Sequence, residues 1–180
     1  MALPYNPFGL RPMGGGRNAK TLSVQLVTDN AETFIGDLIL ATTAGADKLA
    51  SDANPTTAQV LICGVAAEYK AANTSGGGML EVWDPMDTIF EIQANATGDN
   101  WTTKYTTAFS AYPVEGTAVA GDSATKLSKV AIEETAHAGH ALILIGPSNF
   151  PGNDLDANTY PIMMVRIRLA ATVWSTVGFA

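Results

Sequence analysis

The chain has 180 residues, 47% of them hydrophobic and only 15% charged, with a net charge of −7 at neutral pH. That length suits a single domain with an appended segment, and the charged share lies below the usual value of roughly 25%, as in proteins that bury much of their surface against partners. The acidic balance argues against direct nucleic-acid binding, one cysteine excludes an internal disulfide, and the lack of an eighteen-residue apolar run gives no expectation of a membrane-spanning helix.

Charge is unevenly spread. Up to Thr28 there are three basic residues, Arg11, Arg17 and Lys20, and no acid; all seventeen acids lie from Asp29 onward. Residues 1–20 hold Pro4, Pro7, Pro12 and the run Gly14-Gly15-Gly16, a composition that favours extended chain and turns. These residues are expected to form an extended N-terminal arm ahead of a β-rich body over 21–180. Pro4, Asn6 and Pro7 interrupt any apolar leader, so the start reads as mature sequence and not as a signal peptide.

From Thr21 the pattern turns to strands. TLSVQLVT alternates Leu22, Val24 and Leu26 with polar residues. TFIGDLILAT follows, with Gly36-Asp37 as a kink or tight turn. AQVLICGVAAEYK is a buried strand in which Gly64 marks a bulge or a close approach. SGGGMLEVW opens on a turn and runs into a strand, and DTIFEIQAN is rich in β-formers. Residues 97–125 are Thr-, Ala- and Gly-rich with weak periodicity, which predicts a long loop or short strands, within a loop-rich middle near 97–135. ATKLSKVAIEET fits a strand or a short helix. HALILIGPSNFPGND reads as a strand stopped by Pro147. YPIMMVRIRLAATVW puts Met163, Val165, Ile167 and Leu169 on one face and Arg166 and Arg168 on the other. Short strands and turns without helix–strand alternation predict an all-β domain, a single barrel or sandwich with little helix.

No motif for catalysis is complete. GGGRNAKT approaches a phosphate-binding loop, but Ala19 replaces the second glycine and a strand follows where a helix is required. His137 and His140 could seed a zinc site with Glu133 or Glu134, yet further His or Cys ligands are missing. Asn153, Asp154, Asp156 and Asn158 are spaced like oxygen ligands but lack the glycine and glutamate of a calcium loop, so an Asx-rich turn is the simpler reading. Asp84 and Asp87 are read as turn caps, Cys63 as a small buried hydrophobe, and GPSNFPG lacks the spacing of a serine nucleophile elbow. No catalytic residue, metal site or cofactor is expected.

The order of the motifs carries a resemblance. NPFGLRPMGGG at residues 6–16, then Phe34-Ile35-Gly36-Asp37, Gly64-Val65, Asp84-Pro85, Phe90-Glu91-Ile92-Gln93, ALILIGPSNFPGNDLDAN and MMVRIRL together resemble head decoration (capsid-cementing) proteins of tailed bacteriophages, of the type common in cyanophages and marine phages. The likeness runs over nearly the whole chain; the middle, about Thr97 to Thr135, fits it poorly, and Leu10 stands where an aromatic is commoner. The resemblance implies a structural protein without enzymatic activity or cofactor. Such a protein is made in the host cytoplasm and resides in the virion on the outer capsid surface. It sits there as a homotrimer and braces neighbouring copies of the major capsid protein against internal DNA pressure.

The arm suits such a role on physical grounds. A segment disordered when free can order on a partner and cover a large surface. Phe8, Leu10 and Met13 are candidates to enter apolar grooves, and Arg11 and Arg17 to pair with carboxylates there. The alternative is an arm that packs on its own body. Two other functions compete: a host- or glycan-binding β module displayed on the virion, with Trp83, Trp101, Tyr105 and Tyr112 as candidate contact residues, and a tail-tube-like subunit.

Overall fold

A computed structural model describes residues 3–13, 19–42, 44–48, 61–73, 75–102, 104, 111–112, 114, 121–134, 141–156 and 158–168. The chain is all-β: two five-stranded antiparallel sheets face each other, with one four-residue helix among the described residues. The sequence pattern left barrel and sandwich open; two separate sheets correspond to a sandwich, and neither closes into a barrel.

The first sheet has the order β1 (Arg11–Pro12), β7 (Phe90–Gln93), β10 (Ile162–Ile167), β9 (Leu142–Pro147) and β8 (Ala111–Tyr112). Its pattern is clearest in β10, where Met163, Val165 and Ile167 are buried and Arg166 is exposed, as the alternation predicts. Leu169 lies outside the described residues. The second sheet has the order β2 (Thr21–Gln25), β6 (Met79–Trp83), β5 (Leu61–Ala66), β3 (Leu38–Thr42) and β4 (Gly45–Lys48). A parallel bridge between Leu26 and Ala46 draws its two edges toward each other.

Two cores result. The larger lies between the sheets and gathers Leu10, Leu38, Ile62, Val65, Phe90, Ile92, Trp101, Tyr112, Leu142, Leu144, Met163 and Val165 among others. The smaller lies on the other face of the second sheet and is built from compact residues: Leu26, Ile39, Ala46, Cys63, Ala66, Leu80 and Val82. β5 serves both because its register against β3 slips at Ile39/Leu40, leaving Cys63 as the extra residue. The slip switches the parity of the pleat, so Ile62 and Val65 enter one core while Cys63 and Ala66 enter the other. Gly64 is the close approach foreseen at this strand, since a Cβ there would lie 2.6 Å from Val82 Cγ2.

Two expectations are corrected. Residues 124–134 form neither strand nor helix but a turn and isolated bridges, with Leu127 bridging to Ile35 and Asp122, and Ile132 bridging to Ala94 and Val114. Val130, Ala131 and Ile132 supply buried surface, but the backbone pairs only one residue at a time. Within the middle segment, α1 (Gly98–Trp101) is a single helical turn that weak periodicity did not reveal. The described part of the arm runs along the first sheet and contributes β1.

Candidate functional site

The ribbon of residues 3–13 is where sequence and structure both concentrate unusual features. It is fastened by side-chain-to-backbone bonds more than by a ladder. The buried Gln93 amide holds it from the sheet side: Oε1 accepts from Asn6 N at 2.7 Å, and Nε2 donates to Pro4 O at 2.8 Å and to Tyr160 O at 3.1 Å. Tyr160 N donates to Leu3 O at 3.0 Å, and the Tyr5 and Tyr160 rings meet at 5.0 Å. Lys129 Nζ reaches Asn6 Oδ1 at 3.0 Å.

Farther along, the ribbon turns inward through two glycines. Gly9 has φ +71° and Gly36 φ +95°, conformations that favour glycine. A Cβ on Gly36 would lie 2.9 Å from Leu10 O, and one on Gly9 2.8 Å from Gly36 O. The close approach lets Leu10 N donate to Gly36 O at 3.0 Å. It drops Leu10 into the main core, where it is fully buried. β1 then pairs Arg11 with Glu91 and Pro12 with Phe90, and Met13 N donates to Ile89 O at 2.8 Å. A proline suits this edge because the ladder there is short.

Arg11 is the centre of the outward face. Its Nε lies 3.1 Å from Glu91 Oε2, and the other oxygen of Glu91 accepts from the Ser148 hydroxyl. The guanidinium stands 4.1 Å from the Phe8 ring centroid and 6.0 Å from that of Phe150, in reach of a cation–π contact with each. Phe150 is 44% exposed and Met13 45%. Tyr5, Met13, Phe150 and Ile145 of β9 are four of the six large apolar side chains exposed among the described residues, so the apolar surface is weighted toward the ribbon and its sheet.

The five arm residues singled out from sequence therefore part ways. Phe8 is half-buried under Arg11, and Arg11 and Met13 remain accessible. Leu10 is corrected: it belongs to the body's own core and has no side-chain surface left for another subunit. Arg17 lies outside the described residues. The sequence reading placed Gly36 at a kink or tight turn, but connected none of Gln93, Gly36 and Phe150 with the ribbon. Gln93 sits in a strand like any other polar position, between Glu91 and Asn95, and nothing in its neighbours marks it as a buried amide.

The other candidates resolve into structural parts. Lys20 pairs with Asp84 at 3.7 Å and Thr21 starts β2, so the glycine-rich stretch leads into a strand; residues 14–18 lie outside the described residues. Asp84 Oδ1 accepts from Met86 N at 2.9 Å, as a turn cap does. Glu134 pairs with Lys104 at 3.3 Å, while His137 and His140 lie outside the described residues. Among those residues no three His, Cys, Asp or Glu side chains gather as a metal site. Asn153 ties β9 to β10, donating to Ser148 O at 2.7 Å and Ile162 O at 2.8 Å and accepting from Ile162 N at 2.6 Å. Asp156 accepts from Asn158 N at 2.8 Å, a bond that holds its carboxyl below the ordinary aspartate value. Cys63 is buried, and burial pushes its thiol up to about 11, the opposite of an activated nucleophile. Of the aromatic residues a glycan surface would need, Trp101 and Tyr112 are buried against each other at 5.4 Å, Trp83 packs on the main core, and Tyr105 lies outside the described residues.

No family model matches the chain, and neither the curated proteins nor the solved structures contain a match.

Proposed function

We propose that this protein is a structural component of a phage virion. It binds the outer capsid surface as a homotrimer and cements neighbouring copies of the major capsid protein. The observation that carries the reading is the outward face of the ribbon, where Arg11, Phe8, Phe150 and Met13 form a cationic and apolar strip on a lightly charged body. Aromatic residues, methionine and arginine are the types enriched where proteins meet. The motif order described for the sequence points the same way.

The ribbon changes the energetics of docking. A free arm would lose roughly 1–2 kcal/mol of backbone entropy per residue on binding. Residues 3–13 are already ordered by Gln93, Gly36 and Leu10, so that cost falls on folding and not on attachment. The body presents the strip, and the partner meets a surface that is already set.

The test adds purified protein to capsids of the encoding phage that lack it. Saturable binding and slower release of DNA on heating are expected. A Phe150→Ala and Met13→Ser double variant should bind more weakly with an unchanged melting temperature, because both side chains are exposed. Capsids that take up no protein, or that take up the double variant as well as the wild type, would refute the strip as the docking face.

A further inference from the structure

We propose that Lys48 and Asp37 form an intramolecular isopeptide bond, a site of self-catalysed covalent modification that fastens β4 to the start of β3. The inference rests on this cluster alone and does not depend on the virion reading.

Asp37 is 1% exposed at its side chain and Lys48 14%, with Lys48 Nζ 3.0 Å from Asp37 Oδ2. The same Oδ2 accepts from Phe34 N at 2.8 Å. Asp37 Oδ1 is buried and has no hydrogen-bond partner among the described residues. Lys48 Nζ stands 5.0 Å from the centroid of the buried Phe34 ring and 3.4 Å from Glu32 O. Gly121 closes over Phe34 so tightly that a Cβ there would lie 2.1 Å from the ring. An amine and a carboxylate are thus held in contact in a site walled by an aromatic ring and backbone.

A buried ion pair repays its desolvation only when its remaining lone pairs are also satisfied, and here one carboxylate oxygen is not. Condensation removes both charges and the unpartnered oxygen together. The pair passes to its neutral form, an amine and a carboxylic acid whose proton sits on Oδ1, the oxygen that accepts no hydrogen bond. Nζ then attacks Cγ. Phe34 N–H, already on Oδ2, stabilises the oxyanion that develops there, in the manner of a preorganised donor. Oδ1 leaves as water with the acid proton and a proton from Nζ, and Oδ2 remains as the amide oxygen. One C–N bond forms, one C–O bond breaks, and one water is released; no oxidant or further reactant is needed. Holding the amine against the acid replaces the activation that amide formation needs in solution.

The link would join the end of β4, whose Lys48 pairs with Ile39, to the residue just before β3. β4 ends the strand order of the second sheet, paired with β3 along its length and with the end of β2 only at the Leu26–Ala46 bridge.

Mass spectrometry of the full chain tests this directly. The expected intact mass is one water below that of the sequence. Trypsin should fail to cleave after Lys48, and cleavage before Asp47 should leave its two products joined. Lys48→Arg keeps the cation but cannot form this amide, and should restore the full mass. A wild-type mass equal to that of the sequence, with normal cleavage at Lys48, overturns the proposal. So does a missing water that persists in Lys48→Arg, which would place the dehydration elsewhere. The wild-type digest decides the matter even if the variant fails to fold.

Discussion

The two sheets treat an edge in different ways. At the edge of the second sheet, β2 pairs with β6 over five residues, from Thr21–Trp83 to Gln25–Met79. Its polar residues face out, and Leu22 and Val24 pack against the small core. At the edge of the first sheet, β1 pairs over only two residues. The ribbon is held there by one buried leucine, one glutamine amide and a close approach to Gly36. Regular backbone pairing spreads the attachment of β2 thinly over many groups. The ribbon concentrates its attachment in a few side chains, so single substitutions should have much larger effects on the ribbon than on β2.

Leu10 gives the largest expected effect. Leu10→Ala empties a fully buried site in the main core and should cost about 2–5 kcal/mol, the range for such truncations. Leu22→Ala, at a half-buried position on β2, should cost clearly less. Urea melts of the two variants provide the measurement. Equal losses would erase the contrast between the edges, and a negligible loss for Leu10→Ala would mean that the ribbon does not pack on its own body.

The same contrast explains what the sequence disclosed. Ladders with period-two patterning were legible: β2, β3, β5, β6, β7, β9 and β10 all fall within segments that alternation or β-former content marked. β4 was not, because Gly-Ala-Asp-Lys has low strand propensity and forms by pairing back on β3. The ribbon was legible as extended chain rich in proline and glycine. Its destination was not, since nothing in a linear pattern shows that Gly36 leaves room for Leu10, or that Gln93 faces Pro4 and Asn6 across a sequence separation of nearly ninety residues. The outward strip was half legible: Phe8, Arg11 and Met13 were marked from the arm, whereas Phe150 joins them only through the loop after β9.

Gln93 comes next. Gln93→Leu keeps the bulk but strands Asn6 N–H, Pro4 O and Tyr160 O together. These bonds are part-buried and worth about 0.5–1.5 kcal/mol each, so their loss together should cost about 1–3 kcal/mol. Gln25→Ala removes an amide whose bond to Gly77 O is exposed, and should change stability by no more than about 0.5 kcal/mol. Hydrogen exchange sharpens the comparison. In Gln93→Leu the amide of Asn6 should lose protection while those of β2 keep theirs. Loss of protection in both sheets would show that the ribbon and the second sheet open as one unit.

Arg11 should matter less for folding than for contact. Its side chain is 39% exposed, so the pair with Glu91 is screened, and Arg11→Ala should cost under about 1 kcal/mol. The same variant should weaken attachment to capsids and make that attachment less sensitive to salt, because the cationic part of the strip is gone. A large fall in melting temperature would make Arg11 a fastening of the ribbon and not a part of its outward face.

The smallest effect concerns acid, and it reaches the ribbon through Lys129. That lysine lies 3.0 Å from Asn6 Oδ1 and 3.8 Å from Asp122 Oδ2, so it links the ribbon to the turn that Asp122 caps. Asp122 Oδ1 accepts from Ala124 N at 2.9 Å and Thr125 N at 3.3 Å. These bonds, the Ala124 contribution first, hold its carboxyl below the ordinary aspartate value, with Lys129 adding a lesser pull. A carboxyl whose value is lower in the folded state binds its proton more readily when unfolded. Its contribution is therefore complete above the unfolded value and is lost as pH falls through the folded one. Asp122→Asn keeps an acceptor for the turn but cannot titrate. The variant should lose less stability than the wild type between pH 5 and pH 2, to be read from melting temperatures across that interval, and at pH 7 should be slightly the less stable. Ribbon amides should follow the same course, with Asn6 losing protection in acid earlier in the wild type than in the variant. If the two proteins show the same acid profile, the turn and the ribbon are not coupled through Lys129, and the ribbon depends on Gln93, Gly36 and Leu10 alone.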